Sequence, residues 1–183
     1  DVCPTTLSRV ALWRKQLGEA GGKFDIVFVS VDPERDKPAD IGAYVELFGN
    51  PADNNAATRS NGYETVITQY PDMKKVGKEV ADWDRTKGYQ KMQSLLQANP
   101  DINGVISGND EMALGAIAAL KEAGKLANVK VGGFDGSPDA VAAVKAGEMQ
   151  YTVLQPVAVF SAEAVKQADN FIKNGSTGAA TEK

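Results

Sequence analysis

Histidine is missing from the chain altogether, and cysteine occurs once, as Cys3. Without histidine, Ser-His-Asp and Cys-His catalysis, HExxH zinc sites and histidine pH switches are excluded. A single cysteine cannot close an internal disulfide, which leaves pairing between chains or a free thiol. No apolar run approaches the roughly 20 residues that span a membrane. There is no basic run either, and the net charge is −4, so nothing in the electrostatics attracts nucleic acid or an anionic lipid surface. No secretory leader pattern stands at the N-terminus, as expected of a cytosolic, already processed or recombinantly prepared chain.

What is present is an ordinary globular composition: 183 residues, 43% hydrophobic and 24% charged. That is enough chain for one domain whose core needs no staple. From Asn50 onward, helical and strand patterns alternate. A helix is expected over Asn55 to Tyr70, entered through the turn-rich Asn50 to Asn54, and a strand within Met73 to Trp83. Asp84 to Asn99 has helical spacing with Gly88, Met92, Leu95 and Leu96 on one face. Pro100-Asp101 stops it, and Ile102 to Ser107 follows as a strand. Glu111 to Gly124 is a helix with Ala113, Ile117 and Leu120 inward and Gly124 as its terminator. Val129 to Phe134 is a strand, Ser137-Pro138 opens a short helix, and Tyr151 to Leu154 is a strand. Pro156 starts a last helix, with Phe160, Ala164, Val165, Ala168, Phe171 and Ile172 expected inward. The tail from Asn174 is small and polar, which predicts fraying.

Strands alternating with crossover helices predict an α/β fold with a single doubly wound parallel sheet, flavodoxin-like, covered by helices on both faces. The first forty residues carry a helix pattern over Pro4 to Ala20 and an apolar strand over Phe24 to Val31. Then comes the charged, proline-containing connection Asp32 to Pro38. Ala43 to Gly49 fits either period: Ile41, Tyr44, Val45 and Phe48 have helical spacing, while Ala43, Val45 and Leu47 alternate as a strand. Strand is the preferred expectation.

In such a sheet, ligands bind beyond the carboxyl ends of the strands. The strand-to-helix turns carry Trp83 with Asp84 and Arg85, Asn109 with Asp110, Asp135, and Gln155. An aromatic face packs on sugar C–H groups, and carboxylates and amides pair with vicinal hydroxyls. No nucleophile–base pair and no metal-ligand cluster accompanies them, so the set binds without reacting. Each residue also has a structural reading. Asp84 and either Asn109 or Asp110 are natural N-caps, Asp135 belongs to a Gly-Phe-Asp-Gly turn, and Trp83 fits a core.

Four segments occur in a telling order: Asn54 to Gly62 (Asn-Asn-Ala-Ala-Thr-Arg-Ser-Asn-Gly), Ala81 to Gly88 (Ala-Asp-Trp-Asp-Arg-Thr-Lys-Gly), Asn109 to Ala116, and Gly132 to Gly136. The series resembles the C-terminal lobe of ribose-type periplasmic sugar-binding proteins over about 43–183. The resemblance implies that Arg59, Trp83, Asn109, Asp135 and Gln155 contact a monosaccharide, with no cofactor. That family closes two lobes over its ligand. The other lobe and the final hinge segments have no counterpart here, so the expectation is half a site with weak or absent sugar binding.

The start of the chain resembles a different family. Asp1-Val2-Cys3-Pro4-Thr5-Thr6-Leu7 and Val27 to Asp36 look like Sco-type copper chaperones of the thioredoxin fold, over about 1–37. That family holds copper through two cysteines and a histidine. Only Cys3 is present, so no metal site is carried over.

The leading expectation is therefore a recombined or engineered non-enzymatic scaffold of one α/β domain, 1–42 from one family and 43–183 from the other. The alternative is a functional solute-binding or sugar-sensing domain, a class that includes repressor effector cores. A thiol or copper protein through Cys3 ranks third, and a glycosidase using Asp82, Asp84 and Asp135 last. Both resembled families are periplasmic. Self-association through Cys3 or the exposed lobe face is a further expectation.

Overall fold

The computed structural model describes residues 42–178, all within the unit Val31–Lys183. The expected helix over Pro4 to Ala20, the strand over Phe24 to Val31, Cys3 and the Sco-like segment lie outside the described residues, as does the tail after residue 178.

The ambiguous run is a strand, β1 (Ala43–Phe48), and Tyr44 to Leu47 are buried along it without a break. Burial on both sides is what erases a clean period of two. The chain continues as α1 (Asn54–Ile67), β2 (Lys74–Val80), α2 (Arg85–Ala98), β3 (Gly104–Ser107) and α3 (Asp110–Glu122). After a short 3-10 turn at Leu126–Asn128 come β4 (Lys130–Asp135), α4 (Pro138–Lys145), β5 (Tyr151–Leu154) and α5 (Val157–Asn174).

The five strands lie in the order β2-β1-β3-β4-β5, and every pairing is parallel. Among the described strands the lysine-rich β2 takes one edge, a place where lysines discourage stray pairing. The chain leaves β1 in one direction, to β2, and then returns past it to β3. The strand order thus reverses between β1 and β3, where an open α/β sheet forms its ligand crevice.

Local sequence explains the helices. Side chains of Asp53, Asp84, Asn109 and Ser137 accept hydrogen bonds from backbone N–H groups in the first turns of α1, α2, α3 and α4. Gly124, at φ 66°, follows the end of α3 as expected. The core lies between the sheet and the layer α2-α3-α4, where Val45, Leu47, Met92, Leu95, Met112, Leu120, Val131 and Met149 are fully or nearly fully buried. α1 lies on the opposite face. Its Ser60 donates to Glu46 of β1, whereas the neighbouring Val45 and Leu47 belong to the core under α2 and α3.

The expectation for α5 needs correction. None of its residues is buried in the described structure; Phe160 is 53%, Phe171 58% and Ile172 83% exposed. The apolar stripe is there, but no described element lies against it. Periodicity specifies that a face is apolar, not that a partner is at hand.

α2 and α3 approach through two glycines. A Cβ on Gly115 would stand 2.1 Å from the Arg85 carbonyl oxygen, and one on Gly88 2.7 Å from that of Met112. Gly62, in α1, has nothing within 4 Å of its virtual Cβ. Gly115→Ala is therefore expected to lower stability by about 2 kcal/mol or more through overpacking. Gly62→Ala should raise it by roughly 0.5–1 kcal/mol through helix propensity. Denaturant melts of the two variants check this contrast; equal effects would contradict it.

Candidate functional site

A cleft of about 210 Å³ opens beyond the carboxyl ends of the strands, lined by Asp53, Asn55, Arg59, Trp83, Asn109, Asp135 and Gln155. All five residues singled out from the sequence meet there. Asp53 and Asn55 join them from the turn and first residues of α1. In the sequence both belong to the entry of a helix, and nothing local marks them as rim groups.

Arg59 organises the cleft. Its side chain is 15% exposed. Nη1 donates to the Gly108 carbonyl at 2.7 Å, and Nη2 donates to Gln155 Oε1 at 2.6 Å. Nη2 also stands 3.1 Å from Asp135 Oδ1. The guanidinium lies over the Phe134 ring at 4.0 Å and the Trp83 ring at 5.3 Å from their centroids. The sequence places Phe134 at a strand end and in the Gly-Phe-Asp-Gly turn, with no sign that it meets Arg59. An arginine has five N–H donors, so Arg59 keeps donors beyond those these partners use.

Trp83 is seated on glycine. A Cβ on Gly49 would stand 2.2 Å from its Cζ2, and one on Gly108 3.0 Å from its Cζ3. The ring also packs against the core, as its structural reading expects, while lining the cleft. Its backbone is left-handed, φ 65°, as is that of Asp82, φ 50°. Such geometry in non-glycine residues costs about 1 kcal/mol or more each and is typical of sites whose surroundings over-determine it. Asp82 is tied by Lys87 at 2.7 Å, and Asp84 caps α2.

Asn109 also serves twice. Its Oδ1 accepts from Met112 N at 2.9 Å, capping α3, and its Nδ2 donates to the Trp83 carbonyl at 3.1 Å. One amide N–H and one lone pair remain. Asp135 has φ 124° and is partly exposed. Burial lifts its carboxyl above the usual range, Arg59 pulls it back, and the nearby negative Asp110 pushes it further up.

Arg85 turns away from this set. It bridges Glu111 of α3 and Asp139 of α4 at 2.8 and 2.9 Å, which raises its already high pKa. It is a surface tie between helices. Among the described residues no group of three potential metal ligands comes together, and no helix is long and apolar enough to cross a membrane.

The floor under α1 is polar. Glu46 is 5% exposed; it accepts from Ser60 at 2.5 Å and pairs with Lys78 at 3.1 Å and Lys75 at 3.4 Å. Lys75 also pairs with Glu64. The Tyr63 hydroxyl is buried with no hydrogen-bond partner among the described residues, and burial drives its pKa upward.

The arrangement offers amide, carboxylate and guanidinium groups around an aromatic ring, which suits a small polyhydroxylated ligand. It contains no nucleophile aligned with a base. Comparison with known proteins agrees with this chemistry. A family profile described as "Periplasmic binding protein domain" matches residues 14–176. It begins inside the segment whose motifs resemble Sco-type chaperones and so assigns part of that segment to the same family as the rest. The D-apiose import binding protein of Paraburkholderia graminis is 53% identical over 137 residues, 75% of this chain and 44% of that protein. The ribose import binding protein of Escherichia coli is 41% identical over 138 residues, 75% and 46%. A solute-binding protein from Bacillus halodurans with bound myo-inositol aligns with a TM-score of 0.72 at 32% identity, over 74% of this chain and 47% of that one. One from Actinobacillus succinogenes with bound D-allose aligns at 0.67 and 36%, over 72% and 48%. The chain spans a little under half the length of these relatives.

Two substitutions on α1 test its polar seating. Tyr63→Phe removes a hydroxyl that has no partner among the described residues and should leave stability unchanged or raised. Ser60→Ala strips a donor from buried Glu46 and should cost about 1–2 kcal/mol. Paired urea melts read both, and a strongly destabilised Tyr63→Phe would mean that its hydroxyl has a partner.

Proposed function

Because the chain belongs to the periplasmic binding protein domain family, we propose that residues 43–183 form a lobe that binds a monosaccharide and catalyses no reaction. Arg59, Trp83, Asn109, Asp135 and Gln155 are its ligand contacts. The single observation carrying this reading is that all five line one cleft at the strand-order reversal, with Trp83, Asp135 and Gln155 gathered around Arg59 and Asn109 tied to the Trp83 carbonyl. The sugars named for its relatives and neighbours, D-apiose, ribose and D-allose, define the ligand class to try first. The periplasm is the compartment where such a protein works.

This favours the functional binding domain over the recombined scaffold. Residues 1–37 as a Sco-like graft rest on motif likeness alone, and the family profile enters that segment at residue 14. What survives of the scaffold reading is its prediction of low affinity. The described cleft is a single open wall, so water competes with each hydrogen bond.

Calorimetric titration with D-ribose, D-apiose, D-allose and myo-inositol tests the reading. Binding of at least one is expected, with a dissociation constant on the order of millimolar, about −4 kcal/mol, abolished by Arg59→Met. Asp135 accepts from a sugar hydroxyl best as a carboxylate, and its pKa is raised. Affinity should thus fall as the pH drops through a value above the ordinary aspartate range. No heat with any of the four at saturating concentration, or equal binding by Arg59→Met, would contradict the proposal.

A further inference from the structure

The residue after Asn109 is an aspartate that touches no part of the cleft, yet its connections lead back there. Asp110 is 1% exposed. Its Oδ2 accepts from the Ser137 backbone N–H at 2.7 Å, and its Oδ1 accepts from Thr152 Oγ1 at 2.6 Å. The same Thr152 oxygen accepts from the Gly136 backbone N–H at 3.0 Å. Gly133 makes room for this, since a Cβ there would stand 2.4 Å from Asp110 Oδ1. Gly136 and Ser137 are the two residues that follow Asp135, whose own φ of 124° is one that side-chain-bearing residues rarely adopt.

We infer that Asp110 is a positioning residue: its buried carboxylate, acting directly on Ser137 N–H and through Thr152 on Gly136 N–H, holds the turn after β4 in its strained form and so aims the Asp135 carboxylate at Arg59. The two contacts suit a carboxylate, which accepts at both oxygens. With the Asp110 carboxylate as its neighbour, the Thr152 hydroxyl donates to Oδ1 while its oxygen accepts from Gly136, and Oδ2 accepts from the Ser137 N–H. An amide would keep its oxygen on Ser137 and turn its NH₂ to Thr152, so the hydroxyl would have to give up its donation. A buried acceptor with two donors is worth its desolvation only when both are held, and what both donors hold here is the turn that carries Asp135. As a statement about ligand contacts, this rests on the proposed sugar-binding function.

The test uses the full chain and the variants Thr152→Val, Thr152→Ser and Asp110→Asn. Without any ligand, the three-bond HN–Hα coupling of Asp135 reports its φ: small in the left-handed form, large in an extended one. Thr152→Val and Asp110→Asn are expected to enlarge it, and Thr152→Ser, which keeps the hydroxyl, to preserve it. With D-ribose or D-apiose, Thr152→Val should weaken binding by about tenfold. In an Asp135→Ala background it should cause no further loss, because a residue acting through Asp135 has nothing left to act on. An unchanged coupling in folded Thr152→Val, or losses that simply add, would overturn the inference. If Asp110→Asn does not fold, Thr152→Val decides alone. If the wild-type protein binds neither sugar, the functional reading fails on that result and the coupling still decides whether Asp110 sets the turn.

Discussion

The rim of this sheet is built around one cation that has been taken largely out of water. A guanidinium at that depth has to be paired and hydrogen-bonded, because an unmet buried charge is far costlier than any single contact is favourable. Arg59 meets the demand by reaching from the helix after β1 to the carboxyl ends of the other four described strands. It is carried by the helix after β1, stacks near Trp83 after β2, and donates to Gly108 after β3. It pairs with Asp135 at the end of β4 and Gln155 after β5. Five separate chain segments are thereby held around one cleft before any ligand arrives, which lowers the ordering cost of binding.

The helix that carries Arg59 is attached in a way that fits this task. α1 buries only Ala56, Ser60 and Ile67, so apolar packing cannot hold it in register. Its position comes from directional contacts instead: Asp53 at its cap, Ser60 on Glu46, and Arg59 itself. On the other face, α2 and α3 pack by close backbone approach over a dense apolar core. One face supplies cohesion and the other supplies geometry. The left-handed backbones at Asp82, Trp83 and Asp135 sit where the two meet, at the strand ends.

Much of this was legible in the residues. The inward faces of α2 and α3 follow from spacing, and burial of Met92, Leu95, Ile117 and Leu120 bears them out. The parallel sheet followed from alternation of elements alone. Trp83, Asn109, Asp135 and Gln155 could be placed because the ends of parallel strands are where ligands go. Arg59 needed the family resemblance, since an arginine inside a helix carries no local sign of its destination. Asp53, Asn55 and Phe134 carry no such sign either: a turn, a helix start and a strand end are complete explanations until the fold brings them together. Asp110 was read as a cap candidate, whereas Asn109 caps α3 and Asp110 reaches across to Ser137 and Thr152. The stripe on α5 shows the converse limit, an apolar pattern correctly read with no described surface against it.

The claim on which the account depends is that Arg59 is held in place by the protein itself, before ligand. Side-chain nitrogen–proton NMR of the ligand-free full chain tests it directly. A guanidinium fixed by Gly108, Gln155 and Asp135 should show separate, slowly averaging Nη resonances near neutral pH, collapsing in Asp135→Ala. A single averaged Nη signal in the unmodified protein, like that of a freely solvated arginine, would contradict the account.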